Sequence, residues 1–124
     1  MKSRRIGVLG LTYKPGTSTL RRSLPVEIAN LLLESQASVS VFDPKANYEE
    51  WPGGKNFSKP GSAEELVRDS ELVVLMTEWP EFKSLPWKKL LNAQKPQTIF
   101  DTKNFLVGMD LKKIGYEYVR IGKN

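Results

Sequence analysis

Two short runs of this chain are apolar without alternation: Ile6-Gly7-Val8-Leu9-Gly10-Leu11 and Leu72-Val73-Val74-Leu75-Met76. A strand with one wet face alternates apolar and polar residues, whereas a strand apolar throughout must be covered on both faces. Such strands belong to parallel sheets, whose crossover connections lay helices over the two faces. The segment after the first run carries the period of such a helix. Leu24, Ile28, Leu31 and Leu32 fall at i, i+4, i+7 and i+8, with Ser23 as N-cap and Pro25 in the first turn. At 124 residues the chain is one domain's worth, long enough to bury a core without disulfides.

The rest of the chain repeats this scheme. Arg5 to Leu11 is the first strand, and the helix that follows ends near Ser35. Ser38 to Phe42 is a second strand, stopped by Asp43-Pro44. Lys45 to Pro60 is irregular, with turn chemistry at Pro52-Gly53-Gly54 and Pro60-Gly61. Ser62-Ala63-Glu64-Glu65 matches a capping box and opens a short helix to about Asp69. Glu71 to Met76 is the third strand, Trp87 to Asn92 a short helix, and Gln97 to Phe100 a fourth strand closed by Asp101-Thr102-Lys103-Asn104. Met109 to Ile114 forms a short helical turn, and Tyr116 to Ile121 a last, alternating strand suited to a sheet edge. Strands separated by helical segments give a βαβ series: an α/β domain of three layers, with a mostly parallel sheet of about five strands and helices on both faces.

The composition removes whole classes of chemistry. The chain contains no cysteine and no histidine. It therefore has no thiol nucleophile, no thiolate metal site and no imidazole base. The net charge of +5 suits an anionic partner. The cations are spread along the chain, and neither an aromatic platform nor a recognition helix accompanies them, so a phosphorylated small molecule suits this charge better than nucleic acid. No apolar run reaches the roughly 18 residues of a membrane span, and no signal-type stretch follows the basic N-terminus, so a cytoplasmic location is expected.

In sheets of this kind, ligands bind beyond the carboxyl ends of the strands. Four segments fall there: the loop from Tyr13 to Arg22, Asp43-Pro44-Lys45, Thr77-Glu78-Trp79 and Asp101-Thr102-Lys103-Asn104. The first loop carries Lys14, Arg21 and Arg22, the hydroxyls of Thr17, Ser18 and Thr19, and no acid. It has neither the GxGxxG of a dinucleotide loop nor the Gly-Lys-Ser/Thr of a Walker loop. It is either a nonstandard anion loop or a solvated turn, and its residue types alone leave both readings open. Asp43 stands where a nucleotide fold places an acid on a ribose, and equally where an Asp-Pro turn ends a strand. Trp79 can touch a ligand or pack its loop onto the sheet. Asp101 can act as a base or cap the next turn. Lys103 can bind phosphate or face water.

Taken together, these segments resemble one family. Gly10-Leu11-Thr12-Tyr13-Lys14-Pro15-Gly16-Thr17 with Leu20-Arg21-Arg22-Ser23 is similar to the G-L-x-[FY]-K-x-x-T-x-D-x-R-E-S signature of the C-terminal domain of the UDP-glucose/GDP-mannose dehydrogenases. Val41-Phe42-Asp43-Pro44 resembles that domain's second strand and D-P turn, and Leu75-Met76-Thr77-Glu78-Trp79 with Phe82 its T-E-W-x-x-F segment. Phe100-Asp101-Thr102-Lys103-Asn104 resembles its D-x-R-N turn, and Ile121-Gly122 its closing I-G. The matches keep their order and cover nearly the whole chain.

The resemblance, closest to a UDP-glucose 6-dehydrogenase, implies a Rossmann-like domain, residues 1–124, that binds the nucleotide part of a UDP-sugar. In the complete enzymes the sugar C6 alcohol becomes a carboxylate in two steps, with reduction of two NAD. By position, Tyr13 and Lys14 contact the nucleotide-sugar, Lys103 stands where the family has an arginine on the substrate, and Arg21 reaches NAD held mainly by the N-terminal domain. The implied partners are the UDP-sugar and the N-terminal and central domains of a homo-oligomeric parent enzyme. The chain departs from the pattern at Thr19, at Arg22 and at Lys103, which replaces a planar guanidinium by a point charge. These departures leave a second expectation open, a regulatory or interaction domain that keeps the fold without ligand. The family's nucleophile is a cysteine and its cofactor loop a GxGxxG. This chain has neither, so catalysis by these residues alone is not expected.

Overall fold

The computed structural model describes residues 5–11, 28–31, 34, 38–44, 57–91 and 97–120. Five strands form one sheet: β1 (Arg5–Leu9), β2 (Ser38–Phe42), β3 (Leu72–Leu75), β4 (Thr98–Asp101) and β5 (Glu117–Arg120). Their order is β2-β1-β3-β4-β5, and every pairing is parallel. The two unalternating runs account for this placement. β1 and β3 lie side by side inside the sheet and are buried on both faces, while β5 at the edge alternates exposed and half-buried residues, as its sequence predicts.

Apolar side chains collect in two clusters. Ile6, Val8, Val39, Val41 and Val74 pack with Ala29 and Ile28. Leu9, Val73, Leu75 and Ile99 pack with Leu66, Val67, Trp87, Leu90 and Leu111, from the helices Ala63–Asp69, Trp87–Leu90 and Leu111–Ile114. Strand residues two apart share a cluster, so the two lie on opposite faces and helices cover both. Residues 28–31 and 34 are helical, as the period requires, but the stripe is rotated from the expected one. Leu31 is 60% exposed and Ala29 is fully buried. The run is rich in apolar residues on more than one face, so periodicity does not say which of them meets the sheet.

Local chemistry explains the Ala63–Asp69 helix. The Ser62 hydroxyl accepts from the Glu65 N–H at 3.1 Å, closing the expected cap. At the other end the buried Gln97 amide donates to the Val67 and Ser70 carbonyls at 2.9 and 3.0 Å, satisfying groups a helix terminus leaves over. The helix reaches β1 at Gly7, where an added Cβ would stand 2.4 Å from both Leu66 Cδ2 and Ser70 Oγ. Helix and strand touch there because the side chain is missing. Two short turns escaped the sequence reading. Pro80–Ser84 is a 3-10 turn. The segment expected as one turn over Met109–Ile114 divides into Val107–Met109 and Leu111–Ile114, separated at the left-handed Asp110. Among the described residues no helix is long and apolar enough to cross a membrane.

Candidate functional site

The strand order reverses direction between β1 and β3, since β1 leads to β2 on one side and the chain returns to β3 on the other. A doubly wound sheet opens a crevice at such a point, beyond the carboxyl ends of the two strands. Here those ends are joined closely. The Met76 N–H donates to the Leu9 carbonyl at 2.9 Å, and the Gly10 N–H to the Phe42 carbonyl at 2.8 Å. Gly10 takes φ +93°, and a Cβ on it would lie 2.7 Å from the Thr77 backbone nitrogen. Only glycine lets the chain leave β1 in this conformation against Thr77, which is itself fully buried.

Asp43, at the end of β2, is 5% exposed. Its Oδ2 accepts the Leu11 N–H at 2.8 Å and the Trp79 indole N–H at 3.1 Å. The Asp-Pro turn is present, and its carboxylate also links segments that follow β1 and β3. Trp79 is buried in the core cluster, so the packing reading of this residue is the structural one. Asp101 plays a corresponding part at the end of β4. It is fully buried. Its Oδ1 accepts the Lys103 N–H at 3.0 Å, and its Oδ2 accepts the Leu106 N–H at 2.6 Å and the Tyr118 hydroxyl at 2.7 Å. It caps the turn after β4 and secures the edge strand, a use of its carboxylate that the capping reading describes and the base reading does not. Burial, then the bond to Asp101 and its charge, push the Tyr118 hydroxyl well above the ordinary tyrosine range. Thr102 adds a further tie, its hydroxyl donating to the Leu75 carbonyl at 2.6 Å.

These constraints set where the sequence-derived residues stand. Lys103 is exposed on the turn after β4, next to Asn104 with its left-handed φ of 53°. Its backbone is fixed by Asp101 while its side chain is presented to solvent, a placement suited to an incoming anion. Tyr13, Lys14 and Arg21 lie outside the described residues. Glu78 is half-buried on the β3 side of the crevice. The turn roles of Asp43 and Asp101 were among the readings, whereas their ties to Leu11, Trp79 and Tyr118 were missed by sequence reasoning. The available signal was the repeated aromatic-Asp ending of two strands, Phe42-Asp43 and Phe100-Asp101. Among the described residues no group of three or more acids could hold a metal ion.

Comparison with known proteins bears on the chain as a whole. Residues 7–108 match the sequence profile of the UDP-glucose/GDP-mannose dehydrogenase family, UDP binding domain. The chain is 39% identical over 128 residues to the UDP-glucose 6-dehydrogenase of Rickettsia prowazekii (strain Madrid E), spanning 98% of this chain and 29% of that protein. A solved UDP-glucose dehydrogenase from Pyrobaculum islandicum superposes with a TM-score of 0.78 at 28% identity, over 96% of this chain and 25% of the other. A UDP-D-ManNAc dehydrogenase from Pyrococcus horikoshii gives a TM-score of 0.75 at 26% identity, over 98% of this chain and 26% of its own. The chain thus spans less than a third of the length of these relatives. The match takes in the ends of β1 to β4, with Asp43, Thr77, Trp79 and Asp101, and on that basis the chain belongs to the UDP-glucose/GDP-mannose dehydrogenase family, as its UDP binding domain.

Proposed function

We propose that this chain binds the nucleotide part of a UDP-sugar at the carboxyl ends of β1 and β3, within an NAD-dependent nucleotide-sugar 6-dehydrogenase of the UDP-glucose to UDP-glucuronate type. The observation that carries the proposal is the crevice at the strand-order reversal, whose rim falls within residues 7–108, the span that matches the family's UDP binding domain. In this reading residues 1–124 form one nucleotide-sugar domain, the C-terminal part of a longer enzyme. Tyr13 and Lys14 contact the nucleotide-sugar, and Lys103 supplies a cation to the substrate from the turn after β4. The parent enzyme is a cytoplasmic homo-oligomer whose other domains provide the nucleophile.

The chain lacks the GxGxxG with which a dinucleotide loop approaches a pyrophosphate, and Gly7 and Gly10 face protein atoms instead, the side chains of Leu66 and Ser70 and that of Thr77. NAD therefore belongs mainly to another part of the parent enzyme, with Arg21 as this chain's contribution.

Calorimetric titration tests the proposal. UDP, UDP-glucose and UDP-glucuronate are expected to bind weakly to the chain, and binding is expected to fall in Lys14→Ala and with added salt, as for an ion-paired phosphate. Failure of all three to bind at millimolar concentration would refute a preformed nucleotide site here and favour a domain that keeps the fold without ligand.

A further inference from the structure

We propose that Asp43 is a positioning residue for the nucleotide-sugar site, acting by holding the ends of β1 and β3 at a fixed separation; this rests on the reading that UDP binds in that crevice. One oxygen, Oδ2, takes both the Leu11 N–H and the Trp79 indole N–H. Three neighbouring strand ends are thereby tied at one atom: Leu11 follows β1, Asp43 follows β2 and Trp79 follows β3. At 5% exposure the carboxylate is shielded from water, so these bonds are not readily exchanged for hydration. The two donors are anchored in different places. Leu11 belongs to the cluster around Ile6, Val8 and Val41, and Trp79 to the cluster around Leu9, Leu75 and Phe82. Asp43 thus couples the packing of the two sheet faces at the rim where the ligand is placed.

Here Oδ2 is engaged by two protein N–H groups, so Asp43 shapes the site through Leu11 and Trp79. An amide oxygen can accept the same two N–H groups, so Asp43→Asn should keep the two bonds that Asp43→Ala removes.

The test measures UDP affinity by calorimetry and Leu11 amide exchange by NMR in wild type, Asp43→Asn, Asp43→Ala and Trp79→Phe. Leu90→Ala serves as a core variant that lowers Tm without touching the tie. Asp43→Ala is expected to weaken UDP binding at least about tenfold and to speed Leu11 exchange. Asp43→Asn should lose clearly less than Asp43→Ala, and Leu90→Ala should stay within about threefold of wild type despite its lower Tm. Trp79→Phe removes one of the two donors and should fall between; together with Asp43→Asn it decides the matter should Asp43→Ala not fold. The proposal is overturned by folded Asp43→Ala with wild-type affinity, by Asp43→Asn losing as much as alanine, or by Leu90→Ala weakening UDP as strongly at equal Tm loss. Wild type that binds no UDP overturns the nucleotide reading itself, and this inference with it, before any variant is compared.

Discussion

Removing the carboxylate of Asp101 should cost more than any surface change in this chain, and the structure allows the cost to be worked out. Three donors converge on it: the Lys103 N–H, the Leu106 N–H and the Tyr118 hydroxyl. Lys103 is exposed, so water can replace its partner. Leu106 is fully buried, so its N–H would be left without one, while the half-buried Tyr118 would lose a short bond that water replaces only in part. A stranded buried donor costs about 1–3 kcal/mol, and a bond to a charged acceptor contributes about 1.5–3 kcal/mol. Offset by the carboxylate's own desolvation, Asp101→Ala should lose about 3–5 kcal/mol, a large share of the roughly 5–15 kcal/mol typical of a domain. For a chain of this size that is a fall in Tm of roughly 10–20 °C. Asp101→Asn can keep its oxygen toward Leu106 and Tyr118, but its NH2 then faces the Lys103 N–H, donor against donor, for a loss of about 1–3 kcal/mol. Tyr118→Phe removes one bond, at a similar cost. Urea unfolding of the three variants and of the Asp101→Ala/Tyr118→Phe double variant would show the order, and the double variant should lose less than the sum of the singles. An alanine variant within about 1 kcal/mol of wild type would refute the assignment of Asp101 as the anchor of the β4–β5 end.

Gly7→Ala should destabilise by about 1–2 kcal/mol in urea unfolding, because its Cβ meets Leu66 and Ser70 and the overpacking outweighs the entropic gain of losing a glycine. Adding Ser70→Ala should return part of the loss, and a Gly7→Ala chain more stable than wild type would contradict the contact. The alkaline limb gives a third test. Burial pushes the Tyr116 hydroxyl up to about 12, and Tyr118 is raised as well, by burial and by Asp101. Both exceed the unfolded value near 10, so their contribution is fully present below about pH 10 and is lost as pH climbs through the folded values. The urea midpoint should therefore fall above pH 10 in wild type, and fall less steeply in Tyr116→Phe/Tyr118→Phe; equal slopes would rule out these tyrosines as the cause.

The fold was readable where burial dictates residue type. Unbroken apolarity in Ile6–Leu11 and Leu72–Met76 announced interior parallel strands, and alternation announced the β5 edge. The Ser62 cap was readable because its chemistry is local. Orientation was less so: with several apolar faces available, nothing in the period marked Ala29 rather than Leu31 as the residue that meets the sheet. The site was legible as a location and illegible as a set of bonds. Strand ends and their aspartates could be placed along the chain, but the partners of Asp43 lie 32 residues before it and 36 after it, and the Tyr118 hydroxyl that bonds Asp101 lies 17 residues further on. Only the sheet order decides that such groups meet.

That order has a kinetic consequence. The first strand of the chain is an interior one, flanked by β2 and β3. Arg5 pairs with Ser38, and Ile6 with Leu72, so β1 waits for residues 33 and 66 positions further on. Doubling a loop adds only about 0.6 kcal/mol of closure entropy, so the longer wait costs little in stability. It costs time, because chains dominated by distant pairings fold slowly. Until β3 arrives, this buried strand has an open apolar edge, and in that interval the glycines at positions 7 and 10 contribute little β-propensity or apolar surface to premature pairing.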